Sequence, residues 1–330
     1  MVIDFGNGID KVKIKILTNN MVDMTLQTDP VFASMVKQPT REVASATAEH
    51  GLSMHISTGD MNILYDFGGL AFTILNNLEI FKIDPKSYSR MILSHGHFDH
   101  FGAIYKLFPE LSSGSEFIVS PDAFYQKFGY ISEKDDIINL QDLTENFKKY
   151  KKEGKLALLP QLKKNIVEKL CTENQIKLNL TNNPIKLCDG IYTSGQIEIF
   201  DKSELTKNLF IKIDKSNFKE DTFRDEIAIY IHIKDKGLVI LTGCGHTGII
   251  NTIKHGQKIS GIDKIYAVIG GFHLNWSNDN QIQKIIDILE EYNPKLICGM
   301  HCTGFRFNAK LKERLPDKMS LGAVGTEFYL

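Results

Sequence analysis

The chain has 330 residues, of which 42% are hydrophobic and 24% charged, the composition of an ordinary globular protein with room for one large domain. Its net charge of −1 supplies no basic field for nucleic acid or for an anionic membrane surface. No apolar run approaches the roughly 18 residues of a membrane span, and the first residues, Met1 to Asn7, lack the basic and apolar regions of a secretory leader. Five cysteines, Cys171, Cys188, Cys244, Cys298 and Cys302, are too few and too unevenly placed for a disulfide framework. A cytoplasmic protein is expected, acting on a small molecule, with homo-oligomerisation left open.

In chain order, residues 11–18 alternate charged and apolar side chains, the period-two mark of a half-buried strand. A polar stretch with Pro30 and Pro39 reads as a long loop. Residues 51–57 and 61–66 form a hairpin pattern around Thr58-Gly59-Asp60. A helix follows over 70–81. The apolar run 91–94 predicts a second strand, and residues 101–108 a second helix. Residues 121–187, rich in Lys, Asn, Gln and Glu from about 131, place their apolar residues at helical spacing. They predict a largely helical insertion that caps the site. The Lys-Lys-Tyr-Lys-Lys-Glu-Gly-Lys run at 148–155 reads as a solvated helix face. Residues 226–234 alternate as a strand, 235–237 turn, and 238–241 form a continuous apolar strand. A helix over 249–259, a strand over 264–269, a helix over 279–291 stopping at Asn293-Pro294, and a strand-and-loop unit over 296–304 complete the chain. This is α/β grammar throughout.

The most informative stretch is His95-Gly96-His97-Phe98-Asp99-His100. Four ligand-type side chains fall within six positions of a chain that has ten histidines. Imidazole nitrogens and carboxylate oxygens bind Zn²⁺-class or Fe-class ions. They follow an apolar strand and precede a helix, where open α/β sheets place their sites. Other predicted strand ends carry Asp66, Cys244 with His246, His273, and His301. A sheet that gathers these ends at one edge could hold two metal ions. Asp66 reads equally as ligand support and as the cap of the following helix. His273, in Gly270-Gly271-Phe272-His273-Leu274, reads as a substrate-facing or catalytic residue, and His50 as a residue behind the ligands. His232 and His255 read as surface or core residues. Cys298 and Cys302 flank His301 four apart, but no second cysteine pair completes a structural zinc site, so they read as packing residues.

The hexad, with Asp66 before it and His301 on a late strand end, resembles the metallo-β-lactamase-fold hydrolases over residues 11–330. Glu49-His50-Gly51-Leu52-Ser53, Thr242-Gly243-Cys244-Gly245-His246-Thr247-Gly248, the 270–274 turn and His301-Cys302-Thr303-Gly304 are similar to one branch. That branch carries the labels ribofuranosylaminobenzene 5′-phosphate synthase and dihydropterin-related synthase. The resemblance implies a single four-layer αββα sandwich with metals at one edge. It implies that His95 and His97 hold one ion with a further histidine, and that Asp99, His100 and His301 hold the other. Gln196 stands where that further histidine is usual, and Cys244 where the bridging aspartate is usual; His246 and the Cys244 thiolate are the expected replacements. Two divalent ions are expected, Zn²⁺ first, with Mn²⁺ or Fe²⁺ as alternatives. Bound Zn²⁺ brings the pKa of its water to about 7, so a metal-bound hydroxide is the expected nucleophile, with Asp99 as its proton acceptor. The expected activity is hydrolysis of an ester or phosphate ester. The synthase reaction is the first alternative. A diiron redox or metal-sensing protein is the second, opposed by His97, where redox relatives carry glutamate.

Overall fold

The computed structural model describes residues 2–131, 137–214 and 217–330. An eight-stranded sheet runs in the order Val36–Lys37, Glu327–Tyr329, Lys13–Thr18, Ser53–Ser57, Asn62–Tyr65, Tyr88–Ile92, Glu116–Val119 and Lys177–Leu180. A six-stranded sheet runs Lys186–Cys188, Ile191–Thr193, Ile229–Ile233, Gly237–Thr242, Ile265–Gly271 and Leu296–Met300. The alternation in Lys13-Ile14-Lys15-Ile16 does what its period requires: both isoleucines are wholly buried and both lysines stay partly exposed. The hairpin forms with Met54 opposite Tyr65 and Ser57 opposite Asn62. Leu238 to Leu241 are buried on both faces, because Val239 and Leu241 face the other sheet while Leu238 and Ile240 face the outer helices.

Three apolar clusters define the layers. One lies between the sheets, where Ile14, Ile16, Met54 and Ile63 meet Ile229, Ile231, Val239 and Ile269. A second packs the outer face of the six-stranded sheet under the helices Ile249–Ser260, Asp279–Tyr292 and Phe305–Arg314. A third packs the outer face of the eight-stranded sheet under Ala71–Ile80, Phe98–Phe101, Ile104–Leu107 and Lys164–Glu173. The order is helix, sheet, sheet, helix, as a four-layer α/β sandwich requires.

Residues 121–187 depart from the helical expectation. They hold two longer helices, Leu140–Lys152 and Lys164–Glu173, but also the strands Gln126–Tyr130, Leu156–Leu158, Lys177–Leu180 and Lys186–Cys188. Residues 132–136 of this segment lie outside the described residues. Lys177–Leu180 pairs in parallel with Glu116–Val119, and Lys186–Cys188 forms the edge of the six-stranded sheet. The reason is local: Lys177-Leu178-Asn179-Leu180 alternates at period two, which a sheet edge captures more readily than a helix does. Gln126–Tyr130 and Leu156–Leu158 join Leu209–Lys212 and Phe218–Glu220 in a four-stranded sheet of their own. The helix Leu140–Lys152 packs on that sheet through Leu143, while Lys148, Lys149, Lys151 and Lys152 stay exposed at its C-terminal end, where positive charge suits the helix dipole.

Candidate metal centre

The two sheets bring their strand ends to one place. In the first, Tyr65 pairs with Ile92, so Asp66 and the hexad leave the sheet side by side. In the second, Thr242 pairs with Gly270 and Gly271 with Met300, so the Cys244, His273 and His301 loops start in line. Asp66, His273 and His301 all adopt left-handed backbone, with φ of 61°, 49° and 50°. Such conformations cost energy for non-glycine residues and persist where the surroundings enforce them, most often at functional sites. Two glycines let the loops approach. A Cβ on Gly96 would collide with the Ala123 carbonyl, and one on Gly243 would collide with the Ser94 side chain.

Two overlapping groups of ligand atoms result. Asp99, His100, Cys244 and His301 form one, and His95, Cys244 and His246 the other; within each, the atoms lie within 4.8 Å of one another. Cys244 belongs to both, as a bridging residue must. His97 meets the second group through its Nδ1, 3.1 Å from His246 Nε2. His301 Nε2 lies 3.1 Å from Asp99 Oδ2, and His100 Nε2 lies 3.3 Å from Cys244 Sγ. The imidazole rings crowd together, His95 standing 4.6 Å from His97, 4.4 Å from His100 and 4.8 Å from His246 between centroids.

His301 Nε2 lies against Asp99 Oδ2, and the buried His95 Nε2 lacks a hydrogen-bond partner. A buried polar atom left in that state costs about 1–3 kcal/mol. A free imidazole nitrogen among imidazole, carboxylate and thiol donors fits a resident cation. The opposite ring nitrogens are held. His95 Nδ1 meets Ser94 Oγ at 2.9 Å, His100 Nδ1 donates to Asp66 Oδ2 at 2.7 Å, His246 Nδ1 meets Thr206 Oγ1 at 3.2 Å, and His301 Nδ1 donates to Asn20 Oδ1 at 2.9 Å. Such outer partners fix the ring and aim the free nitrogen.

Electrostatics follow the same division. Burial pushes His95 and His246 well below the usual imidazole value, and His97 to about 3, leaving the neutral ring that a metal requires. His100 moves up to about 9: burial opposes its charge, but the carboxylates of Asp66 and Asp99 outweigh burial. Burial would raise the Asp99 carboxyl, yet His100 and His301 beside it hold it well below the usual range, so it stays ionised.

The other expected residues divide. Asp66 supports the ligands. It accepts from Ser94 N and from Ser94 Oγ, both at 2.7 Å, as well as from His100. It does not cap the helix; the Gly69 and Leu70 amides ahead of Ala71–Ile80 donate to the Glu49 carboxylate instead. His50 sits at the exposed mouth, its Nε2 3.5 Å from Asp99 Oδ2. His273 packs on His246 with centroids 4.1 Å apart. His255 is a core residue, accepting from Glu198 N and meeting the Ser194 carbonyl. Gln196 is not brought to the site. Its side chain is exposed, and its backbone N–H donates to the Asn182 carbonyl. Gly195, in left-handed backbone against Asn182 and Pro184, ends the strand early and turns Gln196 outward.

Four supporting residues escaped the sequence reading. Lys127 is fully buried and donates to Asp221 at 2.7 Å and Asp225 at 3.0 Å. Asp225 also accepts from Gly96 N at 2.8 Å, tying this charge group to the hexad backbone. Phe223 stacks on His246 with centroids 4.3 Å apart and planes within 6°. Glu226 accepts from the amides of His246 and Thr247 and so shapes the Cys244–His246 loop. For Phe223, Asp225 and Glu226 the signal is the run Asp221-Thr222-Phe223-Arg224-Asp225-Glu226, which marks a polar stretch without saying what it holds; Lys127 carries none.

Residues 46–115, which contain Asp66 and the hexad, match the Metallo-beta-lactamase superfamily. Over 277 residues the chain is 34% identical to the 7,8-dihydropterin-6-methyl-4-(beta-D-ribofuranosyl)-aminobenzene-5′-phosphate synthase of Methanocaldococcus jannaschii, covering 82% of this chain and 86% of that protein. The chain belongs to the metallo-beta-lactamase superfamily, in the branch that includes this synthase. An uncharacterized protein of the same organism is 29% identical over 81% of this chain and 88% of its own length. The crystal structure of Tm1679, described as a metal-dependent hydrolase of the beta-lactamase superfamily, overlays with a TM-score of 0.68 at 21% identity, covering 96% of this chain and 98% of that one. That likeness establishes the metallo-beta-lactamase fold. Among the described residues no helix is long and apolar enough to cross a membrane.

Proposed function

We propose that this metallo-beta-lactamase-fold protein is a metal-dependent hydrolase acting on an ester or phosphate ester of a small molecule, with two divalent ions, Zn²⁺ first, in the two overlapping groups. The observation that carries the reading is the convergence of His95, Cys244 and His246 in one group and of Asp99, His100, Cys244 and His301 in the other, with His97 Nδ1 against His246 and the buried His95 Nε2 without a hydrogen-bond partner. Ions held there would supply a coordinated water with a pKa near 7 and a Lewis acid for a substrate oxygen.

The chain's own residues supply the rest. Asp99 Oδ2 stays ionised and is placed to orient a water and take its proton. His50 Nε2, 3.5 Å from that oxygen and exposed at the mouth, is placed to pass the proton to solvent. Burial and the neighbouring His301 hold His50 below its usual value, so it is a neutral acceptor at pH 7. His273 stands at the opposite wall, between His246 and the exposed Trp276, where it orients substrate. A cavity of about 250 Å³ whose wall includes Tyr125, Lys219, Arg224 and Asp225 adjoins the hexad through the Asp225–Gly96 bond. Its wall sets Lys219 and Arg224 beside Asp122, Asp221 and Asp225, with Arg224 paired to Asp122 at 3.1 Å, so it carries no excess of positive charge. Within residues 121–187, Tyr125 and the strands Gln126–Tyr130 and Leu156–Leu158 of the separate four-stranded sheet act as the cover that sets substrate choice.

The identity to the synthase favours a second reading, a synthase-like transferase: the product in that relative's name joins a dihydropterin-6-methyl group to a ribofuranosylaminobenzene 5′-phosphate. One experiment separates them. Protein purified without added metal is analysed for its elements, loaded, and screened on phosphodiesters, phosphomonoesters, lactones and thioesters. Turnover of an ester is the expected result. Joining of a dihydropterin activated at its 6-methyl carbon to a ribofuranosylaminobenzene 5′-phosphate, with no hydrolysis in the screen, would replace the hydrolase reading by the synthase.

A further inference from the structure

A second thiol stands beside the bridging one. Cys302 Sγ lies 3.2 Å from Cys244 Sγ, and both cysteines are free and buried. Cys302 follows the strand Leu296–Met300 by two residues. The left-handed backbone of His301 between them folds it back under the Cys244 loop, where its Sγ is also 3.3 Å from the Cys244 carbonyl oxygen. Gly271 makes room for it: a Cβ there would come within 2.9 Å of the Cys302 sulfur. His273 completes a triangle. Cys244, His273 and Cys302 each offer a ligand atom within 4.8 Å of the others. His273 Nδ1 is buried and without a partner, although its ring edge reaches the surface beside Trp276.

We infer that Cys302 is a metal ligand, and that Cys244, His273 and Cys302 form a third, thiol-rich cation position, contiguous with the two histidine and aspartate groups and selective for a soft or borderline ion of the Zn²⁺ class. Two sulfurs and one imidazole are three corners of a tetrahedral site, with the fourth open to solvent or substrate. Zn–S bonds of about 2.3 Å at tetrahedral angles set the sulfurs about 3.8 Å apart, so the thiols need open only slightly to accept an ion. A packing role does not account for the arrangement. Cys298, in the same segment, shows what packing looks like here: it is buried wholly in the aliphatic core between the sheets. Cys302 instead faces a thiol and an imidazole, with an unpartnered nitrogen waiting beside it. The inference does not depend on which reaction the protein carries out.

The test uses the full chain, reduced and stripped of metal, then reloaded with Co²⁺ in the absence of oxygen. Thiolate-to-cobalt charge transfer in the near ultraviolet reports Co–S bonds. Cys244 shared among three ions and Cys302 on one make four such bonds, and losing the third position removes two. Cys302→Ser is therefore expected to show roughly half the charge-transfer intensity and one fewer cobalt ion per chain, while Cys188→Ser, a half-buried thiol remote from the site, shows no change. A Cys302→Ser protein with the band and the ion count of the unaltered chain would overturn the inference. Should that variant not fold, cadmium-113 NMR of the unaltered chain decides. A resonance from a two-sulfur environment supports the third position, and one-sulfur resonances alone overturn it. Either outcome leaves the hydrolase reading standing, because that reading fails only if the His95 and His301 groups take no metal or no ester is cleaved.

Discussion

Asp66 Oδ2 accepts a hydrogen bond from His100 Nδ1 across 2.7 Å, with both side chains wholly buried. The bond fixes which nitrogen of His100 is free, and it points Nε2 at Cys244 and Asp99. Outer contacts of this kind typically carry 10- to 100-fold of metal affinity. Asp66→Asn keeps the shape, removes the charge and can no longer accept fully from Ser94 and His100 together. About 10- to 100-fold weaker metal binding is expected, measured by competition with a chromogenic chelator. Unchanged affinity would reduce Asp66 to a structural residue.

His301 carries a sharper expectation. Its Nε2 lies 3.1 Å from Asp99 Oδ2 within the Asp99–His100–Cys244 group, while Asn20 holds the far side of the ring. His301→Ala removes one corner of the Asp99–His100–Cys244 group and should cost one bound ion per chain by elemental analysis, with the His95–His246 group still loaded. Full metal content in that variant would take His301 out of the ligand set.

Much of this site is readable in the residues because ligand chemistry is sparse and its placement is periodic. Histidines behind apolar strands announce themselves at His95, His97, His246, His273 and His301, and the strands that carry them are set by alternation or by continuous burial. What escapes is whatever depends on the path of a loop. Gln196 stands where the resemblance places a histidine, and a single left-handed glycine turns it to solvent. Cys302 was paired with Cys298 by spacing, but one faces the core and the other the metal cavity, because the strand ends at Met300 between them. The helical reading of residues 121–187 failed where short alternating runs were recruited as sheet edges, a long-range pairing that no local pattern records.

Lys127 illustrates the same limit and yields a prediction. Its ammonium group is buried, and burial alone would lower its pKa, but Asp225 and Asp221 outweigh that and raise it. Removing one partner of a buried charge group strands the others, at about 3–5 kcal/mol. Lys127→Met should lose about that much stability in denaturant unfolding, and it should loosen the Gly96 amide that Asp225 holds. Adding Asp221→Asn and Asp225→Asn removes the stranded charges and should recover most of the loss. A triple variant no more stable than Lys127→Met would mean that the ion pairs are not the source.

Glu204 provides a test by pH. Its carboxylate accepts from Ile250 N at the start of the helix Ile249–Ser260, with the side chain almost fully buried. Burial pushes its pKa up to about 7 from an unfolded value near 4.5, against the backbone donors that pull the other way. Between those values the folded chain holds a proton that the unfolded chain has released. Its contribution is therefore fully present below about pH 4.5 and is lost as pH rises through about 7. At pH 8 the fold carries a buried negative charge that costs up to about 3 kcal/mol. Glu204→Gln keeps the shape and the acceptor oxygen but cannot ionise. The variant should match the unaltered protein in unfolding free energy near pH 5 and exceed it increasingly toward pH 8. Comparing the two proteins at each pH cancels the titration of every other group. A difference that stays flat across that range, or that reverses its sign, would show that Glu204 is ionised in the fold at no cost.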